Sequence, residues 1–148
     1  MKRIDIPPVW LAAFLYVAWS LSNAFPALSF GGGWAEFLAG ILIGSGIVLL
    51  LLAIVEFRKH KTTFIPHETA TALIQSGIFK RSRNPIYLGD MLILAGGILW
   101  WDAVVALPLV PIFLWVIEKR FVIPEENKLR RQFRVQFAAY CAKTRRWI

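Results

Sequence analysis

The sequence predicts an all-α fold, an integral membrane helical bundle with about four transmembrane helices and one further helix near the C terminus. Of its 148 residues, 57% are hydrophobic, and the mean hydropathy is +0.58. A soluble domain of this size would struggle to bury so much apolar surface. The same composition excludes a disordered chain. A single cysteine, Cys141, excludes a secreted fold held together by disulfides.

The placement of the basic residues favours a membrane protein over a nucleic-acid-binding protein. The net charge is +8, and all 17 Lys and Arg residues lie at the N terminus, within 58–83 or within 119–146. The connections at 22–35 and 100–102 contain none. Because basic residues concentrate in cytoplasmic loops, both termini should be cytoplasmic. We therefore expect an integral protein of a prokaryotic inner membrane, with the lipid bilayer as a partner and no nucleic acid.

Residues 9–28 form the first predicted span of a single domain that covers the whole chain, 1–148. The segment is long enough to cross a hydrocarbon core of ~30 Å at 1.5 Å per residue. Asn23 and Pro26 interrupt its apolar pattern. A cleaved signal peptide is the alternative for this segment, because basic residues precede the apolar run.

Residues 36–57 form the second and most apolar predicted span. Gly40 and Gly44 lie four residues apart on it, with Gly46 close by. This spacing permits close approach of another helix, either inside the protein or between two copies of the chain. The Gly40 and Gly44 face is thus a candidate surface for a homo-oligomer.

The polar segment after the second span predicts a short helix. It begins at Pro66, since proline suits the first helical position, and ends at Gly77, since glycine suits the position after the last. Asn84 then offers an N-cap for a third span at 85–100, with Pro85 as its first residue.

Residues 86–117 are too long for a single crossing. A straight helix of that length would measure roughly 48 Å, so we expect a helical hairpin that turns at 100–102. The fourth span then covers 104–123. Pro108 and Pro111 predict a kink within it.

A cytoplasmic helix at 124–143 follows the last span. It should pack one face on the bundle and present basic residues to the anionic leaflet. The apolar face recurs at helical spacing and contains Leu129, Phe133, Phe137, Tyr140 and Cys141.

Two strings near the predicted cytoplasmic face resemble the motifs of a known family. The first runs from Gly77 through Arg83-Asn84-Pro85-Ile86-Tyr87-Leu88-Gly89, and the second is Glu125-Glu126 with Leu129, Phe133, Tyr140 and Arg146-Trp147 downstream. They are similar to the R-N-P-x-Y-x-G and E-E-x-x-L motifs of the isoprenylcysteine carboxyl methyltransferase and phospholipid methyltransferase superfamily. The resemblance covers residues 61–148.

The resemblance implies a small membrane methyltransferase that uses S-adenosylmethionine. The acceptor would be a prenylcysteine-like carboxylate, a phospholipid amine or another lipophilic small molecule. Arg83 and Glu126 are the implied catalytic residues, with Glu126 as the base for an amine or hydroxyl acceptor. The implied cofactor-binding residues are Gly77, Arg83, Asn84, Pro85, Tyr87, Leu88, Gly89, Glu125, Glu126 and Tyr140.

The chemistry of these side chains is compatible with that cofactor. Arg83 beside a helix N-terminus suits a carboxylate, and Glu125 or Glu126 suits an ammonium or ribose hydroxyls. Tyr87 and Tyr140 could present ring faces to a sulfonium or an adenine. Methyl transfer requires no metal, and the two histidines lack partners at ligand spacing.

Two other functions remain open on sequence alone. Some sterol reductases share a similar Arg-x-Pro-x-Tyr string, which would imply NADPH as the cofactor. In a non-enzymatic packing or lipid-binding protein, Asn84 and Pro85 would only begin a helix and Glu125 and Glu126 would only complement its dipole. Asp90, one turn into the third span, is either a substrate contact or a satisfied polar group.

Overall fold

The computed structural model describes residues 5–63, 65 and 68–148, and this part of the chain is 72% helix without a strand. The all-α prediction is therefore confirmed. The main helices are α1 (Pro7–Ala24), α2 (Trp34–Lys59), α3 (Pro85–Trp100), α4 (Leu109–Ile117) and α5 (Ile123–Lys143). Short 3-10 helices cover Gly77–Lys80 and Val104–Ala106, and a π-helical turn at Glu118–Val122 joins α4 to α5.

Helix α2 matches the second predicted span. Among the described helices, it alone is long and apolar enough by itself to cross a membrane, and α3 is a shorter apolar helix. Four crossings are not confirmed. Helix α1 ends at Ala24, two residues before Pro26, and α4 has only 9 residues, about 14 Å at the helical rise. Pro108 is the N-cap of α4. The predicted span at 104–123 is therefore interrupted at Pro108, where α4 begins, and is not one helix with a kink there.

Helices α2 and α3 pack closely because glycines let their backbones meet. A Cβ atom added at Gly46 would lie 2.6 Å from the carbonyl oxygen of Gly89, and one at Gly96 would lie 3.0 Å from that of Ala39. Cβ atoms at Gly40 and Gly44 would meet nothing within 4 Å. The close approach inside the chain thus uses Gly46, while the homo-oligomer through Gly40 and Gly44 stays a prediction.

The main apolar core lies between α1, α3 and α4. Leu94, Ile98 and Ile117 are fully buried there. Phe14 of α1 meets Phe113 of α4 edge to face, with ring centroids 5.1 Å apart. This core fixes the three helices against each other. Helix α2 packs on α3 along its length and, near its C-terminal end, on Phe79 and Phe137.

The predicted turn at 100–102 is confirmed. Asp102 adopts a left-handed backbone conformation (φ +57°), which ends α3 and starts the return of the chain. Its carboxylate accepts a hydrogen bond of 2.7 Å from the backbone N–H of Phe30. The loop between α1 and α2 is thereby joined to the hairpin turn.

The short helix predicted to end at Gly77 is wrong, although its first residues, Pro66 and His67, lie outside the described part of the chain. Residues 68–76 form no helix, and Gly77 begins a 3-10 helix instead. Gly77 has a φ of +56°, and a Cβ there would lie 2.5 Å from the carboxylate of Glu56. The hydroxyl of Ser76 donates to that carboxylate. The glycine therefore permits close contact with α2 rather than ending a helix.

The C-terminal helix is confirmed, beginning one residue earlier than predicted. Phe137 and Tyr140 are buried against Ile74 and Phe79, and the other three apolar residues of this face are partly buried in the same cluster. The basic side chains on the opposite face are exposed. A kink at Arg134 (φ +39°) interrupts the helix.

Candidate functional site

The tail after α5 folds back onto the segment that precedes α3. The backbone N–H of Arg83 donates to the carbonyl of Arg145 at 3.0 Å, and its guanidinium donates to the carbonyl of Thr144 at 2.6 Å. The side-chain amide of Asn84 donates to the carbonyl of Arg146 at 3.2 Å. The segment before α3, which contains the first sequence motif, therefore contacts the tail, which contains the end of the second motif.

Glu126 is the centre of a buried ion-pair cluster. It is 6% exposed, and its carboxylate accepts from Arg83 Nη2 at 3.1 Å and from Arg146 Nε and Nη2 at 3.1 and 2.8 Å. Arg146 also donates to Glu118 at 2.6 Å. Burial raises the pKa of Glu126, but the hydrogen bonds and charges of Arg146 and Arg83 outweigh burial and leave that pKa below its usual value.

Tyr87 links α3 to the first turn of α5. Its hydroxyl donates to Glu125 Oε2 at 2.9 Å, and its ring stacks on Phe121 of the π-helical turn with centroids 6.3 Å apart. Tyr87 is buried, whereas Glu125 as a whole residue is exposed at the surface. Burial of its carboxyl group raises the pKa of Glu125, and the hydrogen bond from Tyr87 opposes that rise. The Tyr87 hydroxyl therefore orients the carboxylate of a surface residue.

A cleft of about 520 Å³ lies beside this contact, between residues 63, 65 and 68–70 on one side and the π-helical turn and the start of α5 on the other. This volume is within the range typical of small-molecule sites. Glu125 and Phe121 line it, together with residues of both charges and of apolar character. Among these are Glu68, Arg120, Lys128, Leu129 and Arg131.

The structure brings together five of the predicted site residues: Arg83, Asn84, Tyr87, Glu125 and Glu126. Asn84 occupies the predicted N-cap position before Pro85, but its side chain does not cap the helix. It instead binds the carbonyl in the tail, and its own N–H donates to the Ser82 hydroxyl at 3.1 Å. The capping function predicted for the Asn84 side chain is thus wrong: its Nδ2 donates to the tail, and in that orientation its side-chain oxygen accepts no hydrogen bond from the first turn of α3.

The remaining predicted residues make structural contacts. Gly77 contacts Glu56, and Gly89 contacts the backbone of α2. The Tyr140 hydroxyl donates to the carbonyl of Phe79 at 2.7 Å. Pro85 and Leu88 belong to the first turn of α3. Ligand contacts by these five residues stay predictions.

Arg146 and Glu118 belong to the cluster but were not among the predicted site residues. Arg146 stands in the second motif string, next to Trp147, so the sequence contained a signal for it. Glu118 lies at the start of the π-helical turn, and no motif marks it. Its contact with Arg146 depends on the path of the tail, which the local sequence does not reveal.

Asp90 is buried on α3, and its Oδ2 atom has no hydrogen-bond partner among the described residues. The described part of the chain also contains no group of three or more His, Cys, Asp or Glu residues able to hold a metal ion.

Comparison with known families adds one finding. A family model described as phospholipid methyltransferase matches residues 34–136, more than two thirds of the chain. The match includes α2, α3, α4 and the part of α5 that contains Glu125 and Glu126. No curated protein and no solved structure gives a significant match.

Proposed function

The chain belongs to the phospholipid methyltransferase family, and from this premise we propose that it methylates a lipophilic acceptor at a membrane surface with S-adenosylmethionine. Family membership implies a methyltransferase associated with a membrane. The cofactor, the acceptor class and the residues that bind them are our proposal.

The observation that carries the proposal is the hydrogen bond between Tyr87 and Glu125 at the edge of the 520 Å³ cleft. Each residue comes from a different motif, and 38 positions separate them in sequence. A protein that only packs helices has no need for the carboxylate of a surface residue to be oriented in this way beside a cleft. The geometry thus supports a binding site rather than a packing contact.

The cleft residues fit the groups that S-adenosylmethionine carries. Lys128 and Arg131 suit its carboxylate, while Glu68 and Glu125 suit its ammonium or ribose hydroxyls. Phe121 and other apolar residues suit an adenine. When bound, the cofactor supplies an activated methyl group. The protein then has to hold donor and acceptor in line and exclude water.

We assign different functions to the two neighbouring glutamates. Glu126 is held by two guanidinium groups, and its low pKa makes it a weak base. It is better suited to positioning its neighbours than to accepting a proton. Glu125, exposed at the cleft, is the carboxylate that we propose to contact the ligand.

The acceptor should reach the site from the bilayer. Helix α2 exposes large apolar side chains along its length, such as Phe37 (74% exposed) and Leu51 (57% exposed). Such a surface is stable only when lipid or another apolar partner covers it. We therefore propose that lipid surrounds α2. The distribution of the basic residues supports the further proposal that both termini are cytoplasmic, with a prokaryotic inner membrane as the location.

Titration of the purified protein in lipid nanodiscs with S-adenosylhomocysteine tests the proposal. We expect saturable binding that weakens at least tenfold in Glu125→Gln, since a charged carboxylate becomes a neutral amide. Glu36→Gln is the matched control, because Glu36 is exposed at the start of α2. Absence of saturable binding would overturn the proposal, and saturable binding of NADPH instead would favour a reductase.

A further inference from the structure

The tail after α5 completes the ion-pair cluster, and its residues lie beyond the part of the sequence that the family model matches. That region ends at residue 136, while the tail contacts come from Thr144, Arg145 and Arg146. We propose that Arg146 is a positioning residue, which fixes Glu126 and Arg83 and thereby holds the Tyr87 and Glu125 side of the cleft in its binding geometry. This inference rests on the proposed function.

Arg146 binds both oxygens of Glu126. Nε lies 3.1 Å from Oε1 and Nη2 lies 2.8 Å from Oε2, which is the paired geometry in which a guanidinium orients a carboxylate most strictly. The third nitrogen, Nη1, lies 2.6 Å from Glu118. One side chain of the tail therefore ties the π-helical turn to the first turn of α5.

Arg83 shares the same carboxylate. Its Nη2 lies 3.1 Å from Glu126 Oε1, and the cluster thus joins the segment before α3 to α5. Arg83 Nε is buried and has no partner among the described residues, so the guanidinium depends on its contacts with Glu126 and Thr144. Without Arg146, the orientation of Glu126 would rest on Arg83 alone.

The backbone of the tail reinforces this arrangement. The carbonyls of Thr144, Arg145 and Arg146 accept hydrogen bonds from Arg83 and Asn84. The segment that places the Arg146 side chain against Glu126 is thus itself hydrogen-bonded to the residues just before α3. The position of Glu125 depends on that of Glu126, because the two residues are adjacent in the same helical turn. Glu125 in turn binds Tyr87.

Arg146→Gln removes the charge and both contacts with Glu126. We expect the affinity for S-adenosylhomocysteine to fall about tenfold, because small displacements of positioned groups cost binding. Arg146→Lys should recover part of the affinity, since it keeps the charge but cannot form the paired contact. Arg130→Gln, the same change at an exposed position of α5, should bind as the wild type does.

The pH dependence of binding separates positioning from general destabilisation. In Arg146→Gln, the charged groups that still act on Glu126 are Arg83 from the segment before α3 and Glu125 from its own helix, while Glu118 of the π-helical turn loses the cation that it shared with Glu126. Burial raises the pKa of Glu125 in both proteins, so its protonation weakens binding in each of them. Loss of one cation also raises the pKa of Glu126 in Arg146→Gln, so its protonation should add to this loss at a higher pH than in the wild type. Arg130→Gln should leave this midpoint unchanged.

Amide hydrogen exchange without ligand tests the positioning independently. We expect faster exchange across residues 82–88 in Arg146→Gln than in Arg130→Gln, since Arg83 N–H depends on the docked tail. Unchanged exchange together with unchanged affinity would overturn the inference while leaving the proposed function intact. Failure of the wild type to bind S-adenosylhomocysteine would overturn the proposed function, and the exchange result would still decide whether Arg146 holds this segment.

Discussion

The α2 and α3 pair and the charged cluster at Glu126 are held together by different forces. Along most of their length, these helices meet through glycine backbones and apolar side chains, as at Gly46 and Gly89. Just before the start of α3, by contrast, Arg83 and Arg146 of the tail both pair with Glu126 of α5, so charged groups from three segments form one cluster. In the packed helix pair, an added atom should destabilise the fold, whereas in the ion-pair cluster the loss of a charge should do so. The first arrangement sets helix positions and the second orients side chains, so their mutations should differ in kind.

The largest effect is expected in the charged cluster. Glu126→Leu leaves the guanidinium group of Arg83 without the carboxylate that it pairs with, and leaves Arg146 paired with Glu118 alone. Breaking a buried pair in this way should lower the free energy of unfolding by about 3 kcal/mol. Thermal unfolding in detergent measures this, with Glu36→Leu at an exposed position as the control. Equal melting temperatures for both variants would contradict the cluster's importance.

Acid should act on the same cluster. The folded-state pKa of Glu126 lies below its ordinary value of 4.5, so the contribution of Glu126 to stability is complete above that value and is lost as pH falls through the folded pKa. Unfolding measured from pH 7 to pH 3 should therefore show a steeper acid loss for the wild type than for Glu126→Gln. Parallel pH curves would show that the ion pairs contribute nothing to stability.

The packed region should respond to the addition of a single methyl group. Gly46→Ala places a Cβ 2.6 Å from the Gly89 carbonyl oxygen, and the required backbone shift should cost about 2 kcal/mol. Gly40→Ala is the matched control, because a Cβ there meets nothing within 4 Å. That variant should be neutral or more stable by up to about 1 kcal/mol through helix propensity. The two melting temperatures test the contrast, which a destabilised Gly40→Ala would contradict.

The smallest effect is expected at the hairpin turn. Asp102→Ala removes the acceptor of the Phe30 N–H and puts alanine at a φ of +57°, for a loss of about 1 kcal/mol. Asp102→Asn keeps an acceptor oxygen and suits the left-handed conformation, so it should stay close to the wild type. Equal destabilisation by both substitutions would show that the negative charge, rather than the hydrogen bond, matters at this turn.

Local residue chemistry was enough to predict the helices whose ends are marked by strong signals. Pro85 begins α3, the residues around Asp102 end it, and the apolar spacing of α5 matches its buried face. The prediction failed where a residue's function depends on a distant partner. Gly77 has the properties of a helix stop, yet its contact with Glu56 on α2 determines its conformation. Asn84 has the properties of a cap, yet its amide binds the tail.

The sequence alone determined that the chain is helical and apolar, and that its two polar motifs belong to one family, because composition, periodicity and motif spacing are properties of neighbouring residues. Tertiary structure decided which of two adjacent glutamates is enclosed by arginines and which is exposed beside the cleft. It also decided that Arg146 reaches Glu118 and Glu126. Such contacts arise from the path of the backbone between distant segments, and no local pattern encodes that path.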